Sequence, residues 1–281
     1  MPEPNEPSAA LLLKAILRVL DEGSIAALAT LTNARKNVGT KILVAESGDA
    51  VGSFGDVALD RVVAKRTPGF LESRDEAHLF HVRDFAPELT EWAEASILFE
   101  RLEPEPRLVI CGAGHVGAAL ARLASLTGYK ATLIDDRPDF VVRDRFPDGR
   151  IELIAAQNWS DAVREAIGSG RGVSVAVVTR GHNEDEECLR AVIATDADYV
   201  GLIGSKRRTN MVLDRLREAG ADVEKLRKVH APIGLDIGAV TPEEVALAIL
   251  SEMVADRRGG TGGSLSSWRR ESELGKGKQV R

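Results

Sequence analysis

Cysteine is scarce in this chain. Cys111 and Cys188 are the only two among 281 residues, too few for a disulfide framework, and both fall in predicted interior elements, as reduced thiols of a cytoplasmic protein do. Positive charge is not in excess either. With 37 Lys and Arg against 43 Asp and Glu the formal net charge is −6, so general binding to a nucleic-acid backbone has no electrostatic basis. No apolar run approaches the roughly twenty residues needed to span a bilayer, and Met1-Pro2-Glu3-Pro4-Asn5-Glu6 is acidic where a signal peptide would be basic. No internal repeat is found. No group of His, Cys or carboxylates has metal-ligand spacing, and no catalytic nucleophile stands out. What the chain does have is 44% hydrophobic content, enough for a real core and two modest domains.

The expected fold class is α/β: a Rossmann-like parallel-sheet domain preceded by a smaller mixed α/β N-terminal domain. In the first part, residues 1–102, apolar Leu12, Ala15, Ile16, Val19 and Leu20 repeat at helical spacing. Strand-like runs then occupy 25–31, 41–44, 78–82 and 96–100, with Gly39, Gly48, Gly52 and Gly55 marking turns. Glu103-Pro104-Glu105-Pro106 interrupts the pattern, since paired prolines suit neither helix nor central strand, and serves as the linker. Across 107–256, apolar runs at 107–111, 130–134, 151–155, 173–179 and 198–203 alternate with helical patterns, the signature of a parallel sheet covered on both faces. From Arg257 to Arg281, glycines, serines and basic residues read as a disordered basic tail.

The candidate ligand site opens at the first of these strands. In Leu108-Val109-Ile110-Cys111-Gly112-Ala113-Gly114-His115-Val116-Gly117, Gly112 allows the turn out of the strand, Gly114 lets backbone amides approach a pyrophosphate, and Gly117 lets the next helix pack closely. Asp135, eighteen residues after Gly117 and at the end of the second strand, stands where a carboxylate accepts ribose hydroxyls. His115 inside the loop either contacts a ligand or caps the helix. His182, in Thr179-Arg180-Gly181-His182, follows the fourth strand at the same carboxyl edge, whereas His78, His81 and His230 read as structural. After the fifth strand, Gly204-Ser205-Lys206-Arg207-Arg208 combines an N-cap serine with three cations in a first helical turn, against the helix dipole; a bound anion removes that conflict. Thr241-Pro242-Glu243-Glu244 is a capping box. Asp236, between Gly234 and Gly238, is either a turn residue or a site contact.

These segments, together with Asp135-Asp136-Arg137-Pro138, Tyr199-Val200-Gly201-Leu202-Ile203-Gly204 and Pro232-Ile233-Gly234-Leu235-Asp236-Ile237-Gly238-Ala239, resemble the XdhC/CoxI family of accessory proteins for molybdenum hydroxylases such as xanthine dehydrogenase. The resemblance implies a non-catalytic, homodimeric chaperone that binds molybdenum cofactor, a molybdopterin with or without a joined nucleotide, supports its sulfuration and delivers it to an apo-hydroxylase, with a cysteine desulfurase as a further partner. It makes Gly112, Gly114, His115, Gly117, Asp135, Arg137, Gly181, His182, Gly204, Ser205, Lys206, Arg207 and Asp236 the candidate cofactor contacts. Arg35, Gly39-Thr40-Lys41-Ile42-Leu43-Val44 and Gly52-Ser53-Phe54-Gly55 echo the family's first domain, but Ala34 replaces a usual proline and Asp56-Val57 stands where glycines are expected. That departure shifts the first domain toward dimerisation or partner contact. The glycine loop and Asp135 also suit an NAD(P)-dependent oxidoreductase, with His182 as proton donor.

Overall fold

The computed structural model describes residues 6–73, 75–168 and 170–266. The chain divides into two compact units between Glu105 and Pro106.

The first unit begins with α1 (Glu6–Asp21) and contains β1 (Ala26–Asn33), β2 (Lys41–Ala45), β3 (Ala50–Gly52), α2 (Val57–Leu71), β4 (Ala77–His81), α3 (Val82–Phe85) and β5 (Ser96–Leu102). Its sheet runs β3-β2-β1-β5-β4, antiparallel throughout. Alternation along β1 separates two apolar faces. Ala27, Ala29 and Leu31 meet Leu59, Val63 and Phe70 of α2, while Ala26 meets Ala15 and Val19 of α1. Helix α2 was not expected from sequence. Asp56, read there as a departure from a glycine-rich turn, is its N-cap: the carboxylate accepts from the amides of Ala58 (2.9 Å) and Leu59 (3.2 Å) and from Trp92 Nε1 (2.9 Å).

The second unit holds β6 (Arg107–Cys111), α4 (His115–Leu126), β7 (Lys130–Asp135), β8 (Ile151–Ala155), α5 (Trp159–Ile167), β9 (Val173–Val177), α6 (His182–Ile193), β10 (Tyr199–Leu202), α7 (Lys206–Glu218), α8 (Val223–Arg227) and α9 (Pro242–Arg258). The sheet is parallel, ordered β10-β9-β6-β7-β8. From β6 the chain winds outward one way through β7 and β8, then returns to build β9 and β10 on the other side. The order therefore reverses between β6 and β9, the position at which open α/β sheets leave a crevice at their carboxyl edge. Leu108 and Ile110 pack among α4 and α9, and Val109 and Cys111 among α5 and α6, so the sheet is covered on both faces. The capping box forms at Thr241 and Glu244. Helix α9 continues through Arg258 and is closed by Gly259 in the left-handed region (φ 65°), so the basic tail does not begin at Arg257. Residues 267–281, the rest of that expected tail, lie outside the described residues.

Candidate functional site

The carboxyl ends of β6, β7, β9 and β10 bring most of the expected residues to one edge. Gly112 has φ 113°, and a Cβ there would stand 2.6 Å from the carbonyl oxygen of Val178. Only glycine lets the loop leaving β6 run against the segment leaving β9. A Cβ on Gly117 would lie 1.8 Å from the Gly112 carbonyl oxygen, so α4 packs directly on its own loop. Gly114 is the N-cap of α4 and supplies no side-chain cap. A Cβ at Gly114 would meet nothing within 4 Å, leaving the amides of the first turn beside open space, the arrangement that binds anions at helix starts. Across the switch point Gly181 is the N-cap of α6, again without a side-chain cap, but the Glu184 carboxylate lies against it, 2.2 Å from where a Cβ would stand, so that start is not open as the α4 start is. His115 and His182 open the two helices. Both are exposed, and neither imidazole makes a hydrogen bond among the described residues.

Asp135, at the end of β7, is 1% exposed. Its Oδ1 accepts from the backbone N–H (3.0 Å) and Nε (2.8 Å) of Arg137, and its Oδ2 from the Ala113 N–H (2.7 Å) and Arg137 Nη2 (2.9 Å). The expected ribose acceptor thus has its oxygens engaged within the chain. Burial raises its carboxyl pKa, but the hydrogen bonds from Arg137 and Ala113 outweigh it and the net shift is downward. The Arg137 guanidinium lies over the Phe140 ring, Cζ to centroid 3.6 Å. Next to this pair, Arg180 forks onto Asp136, Nη1 to Oδ1 2.7 Å and Nη2 to Oδ2 2.8 Å. Because Asp136 follows β7 and Arg180 follows β9, this bidentate pair spans the end of β6, which lies between them.

The cationic turn of α7 divides. Ser205 caps the helix, accepting from the Arg208 N–H (3.3 Å). Lys206 and Arg207 are exposed without an ion pair among the described residues, whereas Arg208 turns inward to Asp185 and is withdrawn from the anticipated three-cation anion site. Gly204 has φ 148°, a turn that glycine suits. Asp236 is exposed, and no hydrogen bond or ion pair joins it to the other candidates among the described residues. Its loop is tied to α9 through the Gly234 N–H to Glu252 Oε2 (2.8 Å) and the Leu235 N–H to the Ala248 carbonyl (3.2 Å). Sequence reasoning passed over Asp136, Arg180 and Asp185. The signal was present for the first two, as an acidic and a basic residue at the ends of strands that flank the glycine-loop strand. Among the described residues no group of three or more His, Cys, Asp or Glu could hold a metal ion, and no helix is long and apolar enough to cross a membrane.

Residues 108–253, from β6 into α9, match the family model of the XdhC Rossmann domain. The chain belongs to the XdhC family. It is 32% identical over 228 residues to the uncharacterized protein YqeB of Escherichia coli, covering 79% of this chain and 41% of that protein. It is 28% identical over 163 residues to a probable xanthine dehydrogenase component of Bacillus subtilis (58% of this chain, 46% of the relative). It is 27% identical over 154 residues to the molybdenum cofactor insertion chaperone PaoD of Escherichia coli (55% and 41%). Each alignment therefore spans less than half of the relative's length. The crystal structure of a xanthine dehydrogenase from Bacillus halodurans shares the fold, with TM-score 0.64 and 21% identity over 90% of this chain and 68% of the other.

Proposed function

We propose that this chain holds molybdenum cofactor in the crevice above β6 and β9 and hands it to the apo-form of a molybdenum hydroxylase of the xanthine dehydrogenase or carbon monoxide dehydrogenase type. The observation that carries the reading is the XdhC Rossmann match over 108–253, centred on a sheet whose switch point has the open, uncapped start of α4 beside it. The names of the relatives support it: one is a molybdenum cofactor insertion chaperone, and another a probable component of xanthine dehydrogenase.

The donor set suits the group. A phosphate-bearing pterin asks for N–H donors and positive potential rather than a cage of metal ligands. The open amides after Gly114 supply the donors, and His115, His182, Lys206 and Arg207 are exposed at neighbouring strand ends. When bound, the cofactor brings redox chemistry that belongs to the hydroxylase; this chain's residues bind, orient and release it. The chain is not itself an enzyme in this reading. Cys111 and Cys188 are both buried, so the sulfur for sulfuration comes from a partner cysteine desulfurase. The working unit is a cytoplasmic homodimer in which the first unit serves self-association or partner contact.

The test is to purify the protein from a host that makes molybdenum cofactor, look for fluorescent pterin after oxidation, and mix the protein with apo-hydroxylase. Bound pterin that leaves the chain as hydroxylase activity appears is the expected result. A protein without pterin that leaves the apo-hydroxylase inactive overturns the proposal.

A further inference from the structure

We infer that Arg137 sets the chemical class accepted at the β7 end of the crevice: a ligand carrying a phosphate monoester is taken there, and one presenting a free ribose diol is refused. The inference rests on reading the crevice as a ligand site and adds what that site selects. In a dinucleotide-binding crevice the diol is recognised by a carboxylate at the end of the second strand. Asp135 holds that position, yet four N–H groups already fill its two oxygens, three of them from Arg137 and one from Ala113. A diol would replace a cationic guanidinium donor by neutral hydroxyl donors and take the guanidinium from a carboxylate that is 1% exposed, an unfavourable trade.

Arg137 keeps unused donors. Its Nη1 makes no hydrogen bond among the described residues, its side chain is 34% exposed, and contact with Asp135 and the Phe140 ring fixes the guanidinium plane. The second guanidinium, Arg180, is on the same edge. Asp136 lies between the two, 2.7 Å from Arg180 Nη1 and 4.0 Å from Arg137 Nε. A phosphate monoester replaces the Asp136 carboxylate between the two arginines while every hydrogen bond to Asp135 is retained. Asp136 is only half-buried and can turn to water.

NADPH and NADH, which differ only by a phosphate monoester on one ribose, are the probes, followed by fluorescence titration of the full chain. The wild type binds NADPH more tightly than NADH by about tenfold or more. In Arg137→Ala and Arg137→Gln that ratio falls to near unity or inverts, because Asp135 is released to the diol while the phosphate loses its partner. Thermal melting verifies folding; if the unpaired carboxylate unfolds the single variants, Asp135→Asn with Arg137→Gln removes the buried charge and should still lose the preference. Equal binding of the two probes by the wild type, failure of NADPH to bind at millimolar concentration, or an unchanged ratio in the variants overturns the inference. The titrated protein is purified from a host that makes no molybdenum cofactor, so no bound pterin occupies the crevice and a failure here is distinguishable from a failure to carry cofactor.

Discussion

Arg208 and Asp185 form a pair at the back of the crevice, with Arg208 Nε standing 3.1 Å from Asp185 Oδ2. Asp185 is fully buried, and Thr179 donates to its other oxygen. The pair ties the first turn of α7 to the first turn of α6 and, through Thr179, to the segment leaving β9. A cation at a helix start opposes the helix dipole; here the conflict is met by a buried carboxylate, and only Lys206 and Arg207 stay available to a ligand. Burial holds the Asp185 carboxyl above its ordinary pKa, against the lowering from Thr179 and Arg208.

The two halves of this cationic turn should separate on mutation. Arg208→Ala strands the Asp185 carboxylate and should cost about 3 kcal/mol of stability near neutral pH, the lower end for breaking a buried pair because Arg208 is partly exposed. Without its partner Asp185 titrates still higher in the folded state. A folded pKa above the unfolded one means that the folded protein binds the proton more tightly, so the cost is greatest above the folded pKa and shrinks as pH falls toward the unfolded value. Urea unfolding of both proteins near pH 7.5 and near pH 5 reads the difference. Lys206→Ala with Arg207→Ala should leave stability equal or slightly higher, weaken pterin or NADPH binding and flatten its salt dependence; unchanged affinity at low and high salt would assign these two to the surface alone.

Asp135 should behave in the opposite sense. Its folded pKa lies below the ordinary value, so its stabilisation is present above the unfolded pKa and is lost as pH falls through the folded one. Asp135→Asn should cost about 2–3 kcal/mol at neutral pH, from lost charge-assisted bonds to Arg137 and Ala113, and the gap to wild type should close below about pH 4. A gap independent of pH between about 7 and 3 would mean that the carboxylate's charge is not what stabilises the turn.

The parallel sheet was legible because a buried parallel strand must be apolar along its length, and 107–111, 130–134 and 151–155 coincide with β6, β7 and β8. Ser205 and Thr241 announced their helices because N-caps depend on local chemistry. Helix α2 was obscured. Its buried residues Leu59, Val63, Thr67 and Phe70 have helical spacing, but Lys65, Arg66 and Pro68 interrupt the stripe, and its N-cap Asp56 sits in a segment read for glycines. At the site, the glycine loop and Asp135 were placed by spacing. The pairing of Asp135 with Arg137, of Asp136 with Arg180 and of Asp185 with Arg208 was not, since which partner a charged side chain takes depends on strand order, and strand order becomes known only when β9 is set beside β6.

Cys111 and Cys188 lie together in the core between the sheet and α6, both with no exposure. The neighbouring Cys111 thiol and burial push the Cys188 thiol far above its ordinary pKa, so it stays protonated and unreactive. Sulfur relay needs a thiolate that a partner can reach, and a buried thiol of this kind instead fills space as a small apolar group. Native protein should therefore resist an aromatic disulfide reagent and react at both cysteines once unfolded. Cys111→Ala should cost about 1 kcal/mol for the small cavity it leaves, with pterin binding and activation of the apo-hydroxylase nearly intact. The measurement that decides is the ratio of sulfurated to unsulfurated cofactor recovered from the hydroxylase. If Cys111→Ala retains pterin but delivers it without sulfur, the thiol takes part in the transfer and its buried position must open during the cycle.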